Sequence, residues 1–119
     1  MHGFEAESFD KPDETRAFDG KGWADVINVG CRVVARGHFE PGWRWSTNVR
    51  SIEGGELCEF SHLMYCVSGR MRIHLRDGSE RDITPGQVAH IPAGHDAEVI
   101  GEETCVMLDF GETADVARR

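Results

Sequence analysis

The chain has 119 residues and a formal net charge of −8, with 21 acidic side chains against 13 lysines and arginines. That length suits one domain with a modest core. The acidic balance excludes the basic patches that nucleic acid and anionic membrane surfaces require. Hydrophobic residues make up 39% and charged residues 29%, an ordinary soluble composition, and no apolar run approaches the about 18 residues of a membrane-spanning helix. The N-terminus has no basic flank followed by an apolar stretch, so no signal peptide is expected and the protein is read as cytoplasmic. Cys31, Cys58, Cys66 and Cys105 are scattered without a CxxC, and no disulfide framework is expected. Cys66 and Cys105 lie in apolar runs and read as small buried hydrophobes.

Residues 1–17 are polar and acidic, interrupted by Phe4 and Phe9. With no helical or strand period they read as an arm, either disordered or laid on the body by its phenylalanines. The body is expected over 18–112 and a tail, read as a frayed helical turn, over 113–119. Asp19-Gly20-Lys21-Gly22 is a turn. Residues 23–28 and 31–36 read as strands, the second closed by Glu40-Pro41-Gly42. Trp43-Arg44-Trp45-Ser46 alternates, which places both indoles on one face. Residues 48–56 form a loop around Gly54-Gly55.

Residues 57–67 are the longest strand candidate, with Cys58, Phe60, His62, Met64 and Cys66 on one face. Tyr65 has the opposite parity and is expected outside. Met71, Ile73 and Leu75 alternate with Arg72, His74 and Arg76, the pattern of a half-buried strand. Asp77-Gly78 is the strongest hairpin signal. Strands follow over 80–84, 88–91, 96–100 and 104–110. Short strands at roughly 8–12-residue intervals, punctuated by Gly and Pro, predict an all-β sandwich or barrel.

The spacing of these turns resembles the cupin family of small β-barrels. Gly86, five intervening residues and Pro92-Ala93-Gly94 fit the family's second motif. Gly69, after Tyr65-Cys66-Val67-Ser68, fits the end of the first, and Asp77-Gly78 sits where the family places its inter-motif turn. The resemblance covers residues 29–110 and implies a single-domain jelly-roll barrel, a double-stranded β-helix. It also implies metal ligands: a His-x-His pair and then a Glu in the first motif, and a His in the second. Here His62 occupies the Glu place, seven residues before Gly69, while Cys58 and Glu56 occupy the histidine places. Ala97 stands where the second-motif histidine belongs, and His95 lies two residues earlier with the same strand parity.

The candidate metal ligands are therefore Cys58, His62 and His95, with Glu56 as a possible fourth. Cys58 and His62 are roughly 13 Å apart on a straight strand, so a bend or bulge must bring them together. A thiolate with imidazoles favours zinc, iron or copper over magnesium or calcium; manganese and nickel complete the candidate transition metals. Asp96 is a candidate to orient the His95 ring. The candidate pocket residues are Trp43, Trp45, Phe60, His62, Met64 and His95. Two readings stand side by side: a metal-free pocket binding a small organic molecule, and a metal-dependent enzyme resembling the dioxygenases, isomerases and decarboxylases of the cupin group. A regulatory partner domain using the acidic arm is a third. The resemblance, with the apolar face of Leu63, Tyr65 and Val67, suggests a homodimer.

Overall fold

The computed structural model describes residues 3–111, so the tail over 113–119 lies outside the described residues. In chain order the strands are β1 (Glu14–Ala17), β2 (Gly22–Val29), β3 (Arg32–Phe39), β4 (His62–Ser68), β5 (Met71–Leu75), β6 (Glu80–Ile83), β7 (Val88–Ile91), β8 (His95–Val99) and β9 (Cys105–Asp109). Two helical turns, α1 (Trp45–Asn48) and α2 (Arg50–Glu53), lie between β3 and β4. A six-stranded sheet runs β1-β2-β3-β9-β4-β7, and a three-stranded sheet runs β6-β5-β8. Every pairing is antiparallel. This is the jelly-roll architecture, with the core held between two sheet faces.

The period-two pattern explains the core. Met64 and Cys66 on β4 and Cys105 and Met107 on β9 point inward from the large sheet. Met71 and Ile73 on β5 and His95, Ala97 and Val99 on β8 meet them from the small sheet. The outward positions of β5 carry ion pairs: Arg72 bonds Asp82, and His74 lies between Glu80 and Glu98. Tyr65, Val67 and Val88 are exposed on the outer face of the large sheet, as the parity of β4 requires.

Two stretches depart from the sequence expectation. Glu14–Ala17, within the stretch read as an arm, is a strand that pairs with β2 from Glu14↔Val26 to Ala17↔Trp23. All four residues are exposed, so no hydrophobic alternation announces them. The strand is anchored instead by polar contacts, the Asn28 N–H donating to Asp13 and the Gly30 N–H to Glu5. Phe18 then stacks on Phe39 at 5.3 Å and leans on Trp43 at 5.9 Å.

The second departure follows Trp43. The alternating pattern holds only as far as one bridge, Arg44↔Glu98, after which the chain coils into α1. Asn48 is the reason. Its side chain accepts from the Arg44 N–H at 3.0 Å and donates to the Asp19 carbonyl at 2.7 Å, offering the backbone a local alternative to a strand ladder. Both indoles are nevertheless buried.

Gly69 closes the first motif at the crossing from one sheet to the other, with φ at 76°. A Cβ there would lie 2.5 Å from the Cys105 Cα, which is backbone and cannot move aside. Gly78, in the β5–β6 hairpin, has φ at 90° but nothing within 4 Å of such a Cβ. Gly78→Ala is expected to cost about 1–2 kcal/mol, the left-handed penalty alone. Gly69→Ala should lose at least about 2–3 kcal/mol more from the clash. Urea unfolding of both variants checks this; equal losses would show that the approach to Cys105 is unimportant.

Candidate metal centre

Three segments converge at one end of the core. The Pro92-Ala93-Gly94 turn delivers His95 as the first residue of β8. Opposite it, Cys58 makes an isolated antiparallel bridge. The Cys58 N–H donates to the His95 carbonyl at 2.7 Å, and the Gly94 N–H donates to the Cys58 carbonyl at 2.7 Å. The strand expected over 57–67 is thus interrupted: Cys58 belongs to this bridge, and β4 begins only at His62, which pairs with Ile91 of β7. The interruption supplies the bend that shared use of Cys58 and His62 requires. Cys58 Sγ lies 3.5 Å from His62 Nε2.

The ligand-type atoms of Cys58, His62 and His95 all lie within 4.8 Å of one another. The imidazoles meet edge to face, with centroids 5.3 Å apart. Each ring is fixed through its other nitrogen. His62 Nδ1 donates to the Asp109 carboxylate at 2.9 Å. His95 Nδ1 is 2.8 Å from the Pro92 carbonyl, which can only accept, so the proton resides on Nδ1. Both residues are thereby set to offer Nε2, the arrangement in which an outer partner orients a metal-binding histidine. Asp109 is itself held by the Gly111 N–H at 2.8 Å.

Burial pushes the Cys58 thiol up, but hydrogen bonds from His62 and His95 outweigh it and bring its pKa down to about 7. Burial likewise pushes His62 down, but Asp109 and Cys58 stabilise the imidazolium and raise it to about 10. Without a metal the site is a thiolate–imidazolium pair. With one, a thiolate and two neutral imidazoles are a donor set suited to a transition metal, and three protein donors leave a position open in a tetrahedral site.

The centre lies in the wall of a cavity of about 480 Å³ between the sheets. All six residues read from the sequence as pocket residues line it: Trp43, Trp45, Phe60, His62, Met64 and His95. Phe60 does so while 51% exposed, since the break before β4 turns it toward the surface. Glu56 is exposed and lies outside the donor cluster, so the fourth-ligand expectation is not met; the bridge fixes the chain at Cys58 and leaves Glu56 in the preceding loop. Asp96 does not orient His95 either. It sits on the opposite face of β8, accepts the Ser46 N–H at 3.1 Å and lies 3.6 Å from Arg44. The Pro92 carbonyl takes the orienting role. Asp109 escaped the sequence reading. Its signal was its parity with Cys105 and Met107, which makes it a carboxylate on an apolar face.

No protein-family model matches the sequence, and no curated protein matches it. The fold does match solved structures. A variant of oxalate decarboxylase from Bacillus subtilis superposes with a TM-score of 0.64 at 18% identity, over 95% of this chain and 31% of that one. A protein of unknown function from Acinetobacter sp. ADP1 gives 0.61 at 13% identity, over 84% and 90% of the two chains. Another from Rhizobium leguminosarum gives 0.57 at 18% identity, over 78% and 84%. The fold is that of a small cupin-like barrel. The chain spans about a third of the oxalate decarboxylase it matches and most of the two smaller proteins. Within the cupin-like barrel Ala97 contributes a methyl group to the cavity wall, and His95 supplies an imidazole two residues earlier on the same face. No helix among the described residues is long and apolar enough to cross a membrane.

The pH behaviour of the metal-free protein follows. A thiol whose pKa is lowered contributes stability above its ordinary value and loses it as pH falls through about 7. An imidazole whose pKa is raised contributes fully below its ordinary value and loses that as pH rises through about 10. The ion pair therefore populates between about 7 and about 10. In a Cys31→Ser background, which removes the exposed thiol, ultraviolet thiolate absorbance should titrate near 7 and move upward in His62→Ala. An unchanged midpoint would show that His62 does not govern Cys58.

Proposed function

We propose that this cupin-like protein binds one transition metal ion through Cys58, His62 and His95 and holds a small organic molecule beside it in the barrel interior. One observation carries the reading: three ligand-type atoms within 4.8 Å of one another, set in the wall of a cavity. The thiolate ranks zinc, iron and copper ahead of manganese and nickel. The Bacillus subtilis oxalate decarboxylase contains Mn(II) centres; a thiolate donor argues for a softer ion here.

A metal held by Cys58, His62 and His95 would supply Lewis acidity. The chain's own residues do the rest. Asp109 keeps the His62 proton on Nδ1, and the Pro92 carbonyl does the same for His95. Cys58 contributes the negative charge. Trp43, Trp45 and Met64 supply buried apolar wall to the cavity that the centre shares. Among functions this arrangement suits a metal-dependent enzyme acting on the bound molecule, with simple binding of that molecule as the lesser reading.

Elemental analysis of tag-free protein tests the site. Wild type is expected to carry about one equivalent of metal after loading, and Cys58→Ser, His62→Ala and His95→Ala each to lose it. Asp109→Asn should retain the ligands but bind metal about 10–100-fold more weakly. Absence of metal from loaded wild type would overturn the proposal.

A further inference from the structure

We infer that the molecule admitted to this cavity is uncharged and largely apolar, aromatic or branched, with a single oxygen or nitrogen donor directed at the Cys58–His62–His95 centre. The inference rests on the metal-site reading and assigns its ligand class.

The first argument is the wall. Three inward positions of β2 and β3, Ala24, Ala35 and Gly37, are small and lie on the cavity surface beside Val26 and Val33. Phe39, at the end of β3, and Trp43 and Ile73 add apolar, buried wall to the same cavity. The Trp43 indole N–H is buried without an acceptor and without exposure, so this ring presents carbon to the cavity. A volume near 480 Å³ falls in the range of small-molecule pockets and far exceeds what a two-carbon acid fills. Such a surface, apolar over most of its area with Ser61 among its few polar contributors, gains mainly by covering apolar area.

The second argument is charge. Apart from the centre itself, the charged side chains among the described lining residues are Arg16 and Asp109. Arg16 is 62% exposed at its side chain and is already held by Glu14 at 2.8 Å and 3.2 Å. Asp109 is negative and is committed to His62. The two charges of a divalent ion would be matched by the Cys58 thiolate and the Asp109 carboxylate. Among the described lining residues outside the centre, Arg16 is the one cation, exposed and paired with Glu14, so a dianion would lie beside Asp109 with little buried positive charge to offset it.

Calorimetric titration tests this with zinc-loaded protein and five probes: acetophenone, 4-ethylphenol, benzoate, oxalate and malonate. The neutral aromatics are expected to bind about tenfold or more tightly than either dicarboxylate, with benzoate between them. Ala24→Leu and Ala35→Leu, each filling the cavity from one wall, should abolish aromatic binding while zinc stoichiometry stays at the wild-type value; retained zinc reports that each variant is folded. With cobalt in place of zinc, 4-ethylphenol should shift the visible spectrum, placing its oxygen at the metal. Tighter binding of oxalate or malonate, or no aromatic binding to protein that does hold zinc, would overturn the inference. Failure to bind zinc at all would instead strike the metal site, and the two results are read from separate titrations.

Discussion

The bridge between Cys58 and His95 is the constraint on which the site depends. Two backbone hydrogen bonds of 2.7 Å fasten a loop segment to the start of β8, across the mouth of the fold. Cys58 lies outside any ladder, His95 sits at the end of the β5–β8 ladder opposite Leu75, and both side chains are buried. Cys58 and His95 are both almost fully buried, at 3% and 4% exposure. A ligand pair on a flexible loop would carry an ordering cost for each side chain; here the backbone has already met it. His62 completes the group from a separate sheet, so the centre also joins the two layers of the sandwich.

The same bridge explains why part of the site was legible in the sequence and part was not. Turn chemistry is local, so Gly69, Asp77-Gly78 and Pro92-Ala93-Gly94 announced the jelly roll from the sequence alone. Period two placed Met64, Cys66, Met71 and Ile73 in the core for the same reason. The Cys58–His62 separation was also readable as a problem, since an unbroken strand would hold the two apart. What resolves it, pairing of Cys58 with a residue far along the chain, is non-local and leaves no period. Asp109 was missed on similar grounds. Its partner is His62, and only the β4–β9 register, with Met64 opposite Asp109, brings the two together. The expectation for Asp96 failed because adjacency in sequence is not adjacency in a strand: successive residues of β8 face opposite sides. β1 was hidden because an exposed strand at a sheet edge has no reason to alternate.

The carboxylate position and the charge of the centre are linked. In the cupin pattern that the sequence resembles, a glutamate stands where this chain has His62. Here the carboxylate has moved outward, to Asp109, and acts through the imidazole. The negative charge that a ligand carboxylate would contribute comes from Cys58 instead. On the metal-site proposal, such an exchange would keep one anionic donor at the centre and soften it, shifting the metal preference without changing the scaffold.

Cysteine chemistry shows how strictly the scaffold confines this effect. Cys66 and Cys105 are both at 0% exposure in the middle of the core. Burial pushes the Cys105 thiol up to about 12, and it raises Cys66 as well. Neither has a cationic neighbour to offset desolvation, so both behave as apolar packing. Cys58 is equally hidden from solvent by area, yet two imidazoles lie against its sulfur and bring it down to about 7. Burial alone would have made all three thiols inert. The distinction arises from the histidines, and they reach Cys58 only because β4 starts five residues late and β8 starts at His95. A strand break and a turn, rather than an added functional group, set one of the three buried cysteines apart as a candidate ligand.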